Sequence, residues 1–287
     1  MPFIVGSPRS GTTLLRMMLS SSSLLAIPPE TGFVAHLATH PNLEDLRADE
    51  LLHLITHFPP AAPTWPDFGL DEATLGAALA ELQPFSVADG IRCFYRLYAQ
   101  RHGKRRVGDK TPLYGQAMDA IERLLPEAAF VHIIRDGRDC SLSLRELWFA
   151  PGRNIDALAT YWRDNVATCR GLGRSVRHYI EVRFENLVVN TEAELSRICD
   201  FLDLPFEPAM LRHQDVAEHL LAEHQGRVLN DGAFVLTAER RRAQQWRTAV
   251  PADPSRIGVW RVELTPEEQA AFWKIAGSLL GELGYQA

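Results

Sequence analysis

No stretch of about twenty uninterrupted apolar residues occurs in the 287-residue sequence, so no membrane span is expected. CxxC pairs are also missing. Cys93, Cys140, Cys169 and Cys199 stand far apart, which argues against a zinc ribbon or a thioredoxin-type site. Each lies among apolar or helix-forming residues and reads as a buried free thiol in a reducing compartment. Basic residues are not in excess: 30 Lys and Arg face 36 Asp and Glu, a net charge of −6. That disfavours the coating of nucleic acid but leaves room for one small anionic ligand in a local basic pocket. His213, His219 and His224 are six and five residues apart, which matches neither HExxH nor its inverted form, so no metal is expected. The opening MPFIVGSPRSG holds an apolar run too short for a signal peptide. Together these features lead us to expect a soluble, cytoplasmic protein.

What is present is an alternation of short β-rich runs with helical patterns. Strands are expected at Phe3–Val5, Leu24–Ile27, Arg106–Gly108, Phe130–Ile134 and Tyr179–Arg183. Helices are expected at Thr12–Ser22, Leu70–Leu82, Ala88–Arg101, Tyr114–Leu124, Asp136–Leu147, Ile155–Leu172, Thr191–Leu202 and Thr265–Leu283. Thr191 with Glu194 reads as a capping box, and T-P-E-E from Thr265 as a second capped start. Such alternation implies an α/β fold with a central parallel sheet of about four to five strands, flanked by helices on both faces. We expect one domain over residues 1–287, with helical insertions at about 32–105 and 207–250. Residues 58–69 carry four prolines and read as a surface excursion. The basic runs RHGKRR (101–106) and ERRRAQQWR (239–247) read as solvated faces, or else as a local field that attracts an anion.

The segment FIVGSPRSGTTLLRMML runs from a strand through a glycine turn into a helix. Successive backbone N–H groups and the helix N-terminus make such a turn an anion cradle. Pro8, Arg9, Ser10, Gly11, Thr12 and Thr13 are its candidate binding residues. The spacing copies the GxxxxGK[ST] loop of nucleoside triphosphatases, but Thr12 replaces the lysine that clamps the β- and γ-phosphates. Arg9 supplies a different cation. The bound group should therefore carry less charge than a triphosphate and need no metal.

Three further stretches place polar residues just after predicted strands. VHIIRDGRDCSLSL delivers Arg135 at a strand end and Ser141 and Ser143 on the following helix, a suitable receptor for a single phosphate. Arg138 and Asp139 there read as surface or capping residues. RVGDKTPLYG puts Lys110 just past a short strand. IPPETGF carries Glu30, which a returning strand at Leu24–Ile27 would bring back to the same sheet edge. Ligands of open parallel sheets bind outside the carboxyl ends of the strands, and Arg9, Glu30, Lys110 and Arg135 would all lie there.

GSPRSGTTLL closely resembles the 5′-phosphosulfate loop of sulfotransferases that use 3′-phosphoadenosine 5′-phosphosulfate (PAPS), above all the protein-tyrosine sulfotransferases and the bacterial enzymes similar to them. The resemblance extends in order through Glu30, Lys110, Arg135–Ser143, Phe184–Val188 and Arg256–Leu264. It implies PAPS as donor and no metal. Arg9 would help stabilise the sulfuryl group, Glu30 would be the catalytic base, and Lys110 would neutralise the oxygen bridging phosphorus and sulfur. Arg135 and Ser143 would hold the 3′-phosphate. Phe184 stands where a nucleotide-contacting tyrosine is common; it keeps the ring and loses the hydroxyl. Arg256 falls in a stretch similar to the loop that closes over the donor. The implied activity is sulfuryl transfer to a hydroxyl. A small-molecule kinase and a catalytically inactive donor-binding protein are the alternatives. The unmatched segments 32–105 and 207–250, rich in Leu, Ala and Phe, favour a partly apolar small-molecule or natural-product-like acceptor.

Overall fold

The run Ala129–Ile134 (AFVHII) is apolar towards both sides, as a strand covered on two faces must be. In the computed structural model, which describes residues 1–229 and 235–287, it is the inner strand β5. Before it come β1 (Pro2–Val5), β2 (Leu25–Ala26), β3 (Arg106–Val107) and β4 (Asp109–Lys110), and after it β6 (Tyr179–Arg183). Residues 230–234, within the segment 207–250, lie outside the described residues. The central sheet has the order β4-β1-β5-β6 and is parallel throughout. β2 and β3 form a separate parallel pair. The Leu24–Ile27 strand therefore exists in shortened form but does not join the central sheet.

Side-chain alternation along β1 builds both cores. Phe3 and Val5 enter a cluster with Phe33, Phe94, Tyr114 and Phe130. Ile4 points the other way, with Leu15, Val131, Ile133, Leu187 and Ile198. The first face is covered by α2 (Phe33–Ala38), α3 (Ala48–Thr56), α4 (Glu72–Ala80), α5 (Val87–Arg101) and α6 (Met118–Leu124). The second lies under α1 (Thr12–Ser20), α9 (Phe184–Val189) and α10 (Thr191–Phe201). A third cluster joins α7 (Gly137–Leu144), α8 (Ile155–Gly173) and α14 (Pro266–Glu282) around Trp162 and Phe272. No helix among the described residues is long and apolar enough to cross a membrane. All four cysteines are buried and unpaired, and burial pushes each thiol above its ordinary pKa.

Several local expectations are corrected. Asn190, not Thr191, precedes α10, because α9 runs directly up to it. Thr191 Oγ1 turns back to donate to the Val188 carbonyl at 3.3 Å, and Glu194 pairs with Arg197 instead of closing a box. At Thr265 the capping box does form, with Glu268. The expected helix from Tyr114 is a tight turn over Pro112–Gln116 followed by α6, since the Tyr114 hydroxyl is drawn into a buried hydrogen-bond network with Thr31 and Val34. The proline-rich stretch is only in part a surface excursion: Pro60, Ala61, Pro66 and Gly69 are exposed, but Ala62, Thr64, Asp67 and Phe68 are buried. Phe68 is fully buried edge-on to Phe94 at 5.0 Å, and buried Asp67 is held by Arg227 and Arg241 at 2.8 and 2.6 Å. Arg241 thus belongs to a buried ion cluster and not to a solvated face. In the other basic run, Lys104 Nζ donates to the Leu25 carbonyl and Arg106 to the Leu202 carbonyl.

The segment after α10 is tied to the nucleus of the fold by a buried ion pair. Arg16 of α1 donates to Glu223 at 2.7 Å and to the Ile27 carbonyl at 2.9 Å, and the Tyr98 hydroxyl donates to the other Glu223 oxygen at 2.6 Å. Removing one member strands the other charge in the interior. Glu223→Ala is expected to cost about 3–5 kcal/mol, read as a lower urea midpoint; a loss under roughly 1 kcal/mol, the scale of an exposed pair, would show that the pair carries little.

Candidate active site

The loop after β1 is shaped by close approach. A Cβ on Gly6 would lie 2.5 Å from the Ile133 carbonyl oxygen, and one on Gly11 would lie 2.5 Å from the Phe184 ring. Gly11 also has φ 106°, which side chains resist. Between them Arg9 sits at φ 71°, a left-handed conformation that costs a non-glycine residue roughly 1–2 kcal/mol. No side chain caps the start of α1, so its first amides and positive dipole end face the loop. Ser10 Oγ is buried there without a partner. Thr12 is buried and Thr13 half-buried in the first turn, while Pro8 is half-buried beside Arg9.

The second motif reaches this loop. Arg9 Nε donates to Ser143 Oγ at 2.9 Å, joining residues 134 apart in sequence. Arg135, at the end of β5, lies with its guanidinium carbon 4.4 Å from the centre of the Phe184 ring. Phe184 therefore packs against both Gly11 and Arg135. Arg135 donates to the Arg256 carbonyl at 2.8 Å. Arg256 meets Arg135 through this backbone contact, while its guanidinium turns to Glu263 at 3.7 Å. The Nε atoms of Arg135 and Arg256 and Ser141 Oγ are buried and unpartnered.

Arg138 and Asp139 are not surface residues. Arg138 is 2% exposed, paired with Asp136 and stacked under Trp260 at 3.5 Å. Asp139 accepts the N–H groups of Gly258 at 2.8 Å and Trp260 at 3.0 Å, which fastens the 253–261 stretch to α7. Arg247 belongs to the same charged surround, although the sequence placed it in a solvated run. Burial, and then the positive charges of Arg135 and Arg247, pull the Arg9 pKa below its ordinary value. Arg247 is likewise lowered by desolvation, then by Arg256 and Arg135. The legible signal was the alternative reading of that run as a local field for an anion.

Lys110 is the last residue of β4 rather than a loop residue, paired in register with Ile4. That strand carries it to the edge beside the glycine turn, where Gly6 N donates to the Pro112 carbonyl at 3.1 Å. Lys110 is 4% exposed, and its Nζ meets Glu30 Oε1 at 2.5 Å, with the Glu30 side chain 52% exposed. Desolvation lowers the lysine pKa against the pull of Glu30. The glutamate is disfavoured by desolvation, but the Lys110 charge and hydrogen bond hold its carboxyl below the ordinary range. An ionised carboxylate open to solvent thus sits against a buried ammonium, within the field of Arg9. The two anion motifs form one continuous wall, and the Lys110–Glu30 pair stands at the neighbouring strand end.

Residues 3–208 match the family model described as Sulfotransferase family, and the chain belongs to that family. Nodulation protein NoeE of Sinorhizobium fredii strain NGR234 is 28% identical over 310 aligned positions, covering 99% of this chain and 65% of the relative. Protein-tyrosine sulfotransferase A of Caenorhabditis elegans is 25% identical over 225, covering 75% of this chain and 52% of the relative. The chain therefore spans about half to two thirds of the length of these curated relatives. The sulfotransferase domain from the Synechococcus PCC 7002 olefin synthase shares the fold, with a TM-score of 0.63 and 24% identity over 100% of this chain and 95% of that one.

An Arg135 that holds a ribose phosphate, as the resemblance implies, would supply a charge-assisted hydrogen bond of roughly 1.5–3 kcal/mol, and on that expectation Arg135→Ala weakens binding of 3′,5′-ADP by roughly 10- to 150-fold. Calorimetric titration measures this, and an unchanged Kd would remove Arg135 from the site.

Proposed function

We propose that this chain is a sulfotransferase that moves a sulfuryl group from PAPS to a hydroxyl of a small-molecule, natural-product-like acceptor. The observation that carries the reading is the 2.9 Å contact between Arg9 and Ser143, which fuses a phosphosulfate-type loop with a single-phosphate receptor. Such a double site suits a nucleotide with a phosphate on its ribose as well as a 5′ tail. The buried, unpartnered Ser10 Oγ, Ser141 Oγ and Arg135 Nε are polar groups of the right kind for that donor. Thr12 in place of a lysine removes the clamp a triphosphate needs, which speaks against a kinase.

In this reading Arg9, Ser10, Thr12, Thr13 and the loop amides around Pro8 and Gly11 hold the sulfonated tail. Arg135, Ser143 and the Arg256 stretch hold the ribose phosphate, and Phe184 offers its ring to the base. Glu30 takes the proton of the acceptor hydroxyl as that oxygen bonds to sulfur. The bond from sulfur to the bridging phosphate oxygen breaks, and Lys110 places its positive charge on the departing oxygen. Positioning supplies much of the remaining acceleration, and no metal is needed. Glu30 is half exposed and within the field of His224 and Arg227, which supports acceptor entry beside the segment 207–250. The ion clusters Arg16–Glu223 and Asp67–Arg227–Arg241 support treating residues 1–287 as one catalytic domain. Four buried, unpaired cysteines suit a reducing, cytoplasmic setting.

An acceptor screen with isotopically labelled PAPS, read by mass spectrometry, tests the activity. Stabilisation by Mg-ATP in preference to 3′,5′-ADP in a thermal-shift assay would overturn it in favour of a kinase. Glu30→Gln is expected to lose roughly 10²–10⁴-fold in kcat with 3′,5′-ADP binding retained; near-full turnover would remove Glu30 as the base. The rate should also follow a bell. Glu30 must be deprotonated and its pKa is lowered, so the acid limb should fall below the ordinary glutamate range. Lys110 must be protonated and its pKa is also lowered, so the alkaline limb should set in below the ordinary lysine value. A rate flat across both regions would exclude the pair.

A further inference from the structure

Glu30 lies in a stretch outside helix and strand, yet its carboxylate must meet Lys110 and an acceptor within tenths of an ångström. The restraint on it comes from its neighbour. Thr31 Oγ1 donates to Asp109 Oδ2 at 2.7 Å, and Thr31 N donates to Thr111 Oγ1 at 3.2 Å. Asp109 and Thr111 are the residues on either side of Lys110. The Glu30–Lys110 pair is therefore bracketed by two hydrogen bonds that join the same two backbone segments, one residue along on the first segment and one residue to each side on the second.

The bracket is itself anchored. The Tyr95 hydroxyl of α5 donates to the same Asp109 oxygen at 2.7 Å. Tyr114 Oη lies 2.6 Å from Thr31 Oγ1 and accepts the Val34 N–H at 2.9 Å. Thr31 and Asp109 are fully buried. Burial pushes the Asp109 carboxyl up to about 6, with the hydrogen bonds from Tyr95 and Thr31 and the Lys110 charge acting against that rise. A buried carboxyl is costly unless it is hydrogen-bonded; Asp109 Oδ2 accepts from both α5 and the segment that carries Glu30, while Oδ1 is buried without a partner.

We infer that Asp109 and Thr31 are positioning residues for the proposed reaction, holding the backbone of Glu30 at a fixed distance from Lys110 without touching substrate. The inference rests on the assignment of Glu30 and Lys110 as base and leaving-group cation. It separates two functions within one short strand: Lys110 faces the chemistry, while Asp109, one residue earlier, points into the core and sets the geometry.

Because Asp109→Ala removes a buried anchor and is at risk of unfolding, the decisive variants are Thr31→Val, which keeps the shape and loses the hydroxyl, and Thr31→Ser, which restores the hydroxyl. The readouts are the Glu30 carboxyl titration by carbon NMR, the Kd for 3′,5′-ADP, and kcat with labelled PAPS and the acceptor found in the screen. Thr31→Val should shift the Glu30 titration upward towards its ordinary value, as its pairing with Lys110 loosens. It should lower kcat by about 10- to 100-fold and leave the Kd within about twofold, since the donor wall is separate. Thr31→Ser should reverse both changes. A Glu30 titration unchanged in Thr31→Val, or shifted and not restored by Thr31→Ser, overturns the positioning role. If the wild type transfers no sulfuryl group, the functional reading fails, and the titration still decides this inference.

Discussion

Positive charge is gathered around one loop of an acidic protein, and the fold has to hold it there. Desolvation first, and then repulsion from neighbouring arginines among Arg135, Arg247 and Arg256, lowers the pKa values of Arg9 and Arg247, while the chain as a whole carries −6. Like charges at such range repel, and they persist only where other forces fix them. Here those forces are the left-handed turn at Arg9, the carbonyl of Arg256 on Arg135 and the stacking of Arg135 on Phe184. The cluster lowers the cost of bringing in an anion with two charged ends, and that is the kind of ligand the family membership suggests.

Acidic groups around the arginines divide into those that restrain them and the one proposed to act in the reaction. Asp139 spends both oxygens on the backbone of the 253–261 stretch, and Asp136 secures Arg138 beneath Trp260. Neither neutralises the cluster fully: Arg135 is 3.7 Å from Asp139, and its Nε has no partner. Glu30 differs in being half open to solvent, as the base of the proposed reaction would have to be. Burial thus sorts the carboxylates by role more clearly than residue type does.

The wall formed by the two anion motifs was legible in the sequence because each part of it is local. A strand, a glycine turn and a helix start are contiguous from Phe3 to Leu15, and the Arg135–Ser143 unit repeats that logic. The parallel sheet followed from the alternation of short strands such as FVHII with helical patterns. What escaped was set by contacts distant in sequence. The burial of Asp67 depends on arginines 160 and 174 residues away, so the proline-rich stretch looked like surface. Arg138 looked solvent-facing because the aromatic ring that covers it, Trp260, comes 122 positions later. Thr191 looked like a helix cap because nothing local announces that α9 occupies the preceding turn. In the same way Asp109 reads as an ordinary acid beside a lysine until Tyr95 and Thr31 are seen to converge on it.

The contact between Gly11 and Phe184 links two segments that are otherwise remote. An alanine at position 11 meets a steric obstacle, which a smaller side chain at 184 would relieve, and a conformational one at φ 106°, which no change elsewhere removes. A paired exchange would thus recover space but leave a residual penalty of roughly 1–2 kcal/mol. Loss of the ring at position 184 would cost its core packing and its stacking with Arg135, whereas position 11 has no neighbouring route by which to leave glycine.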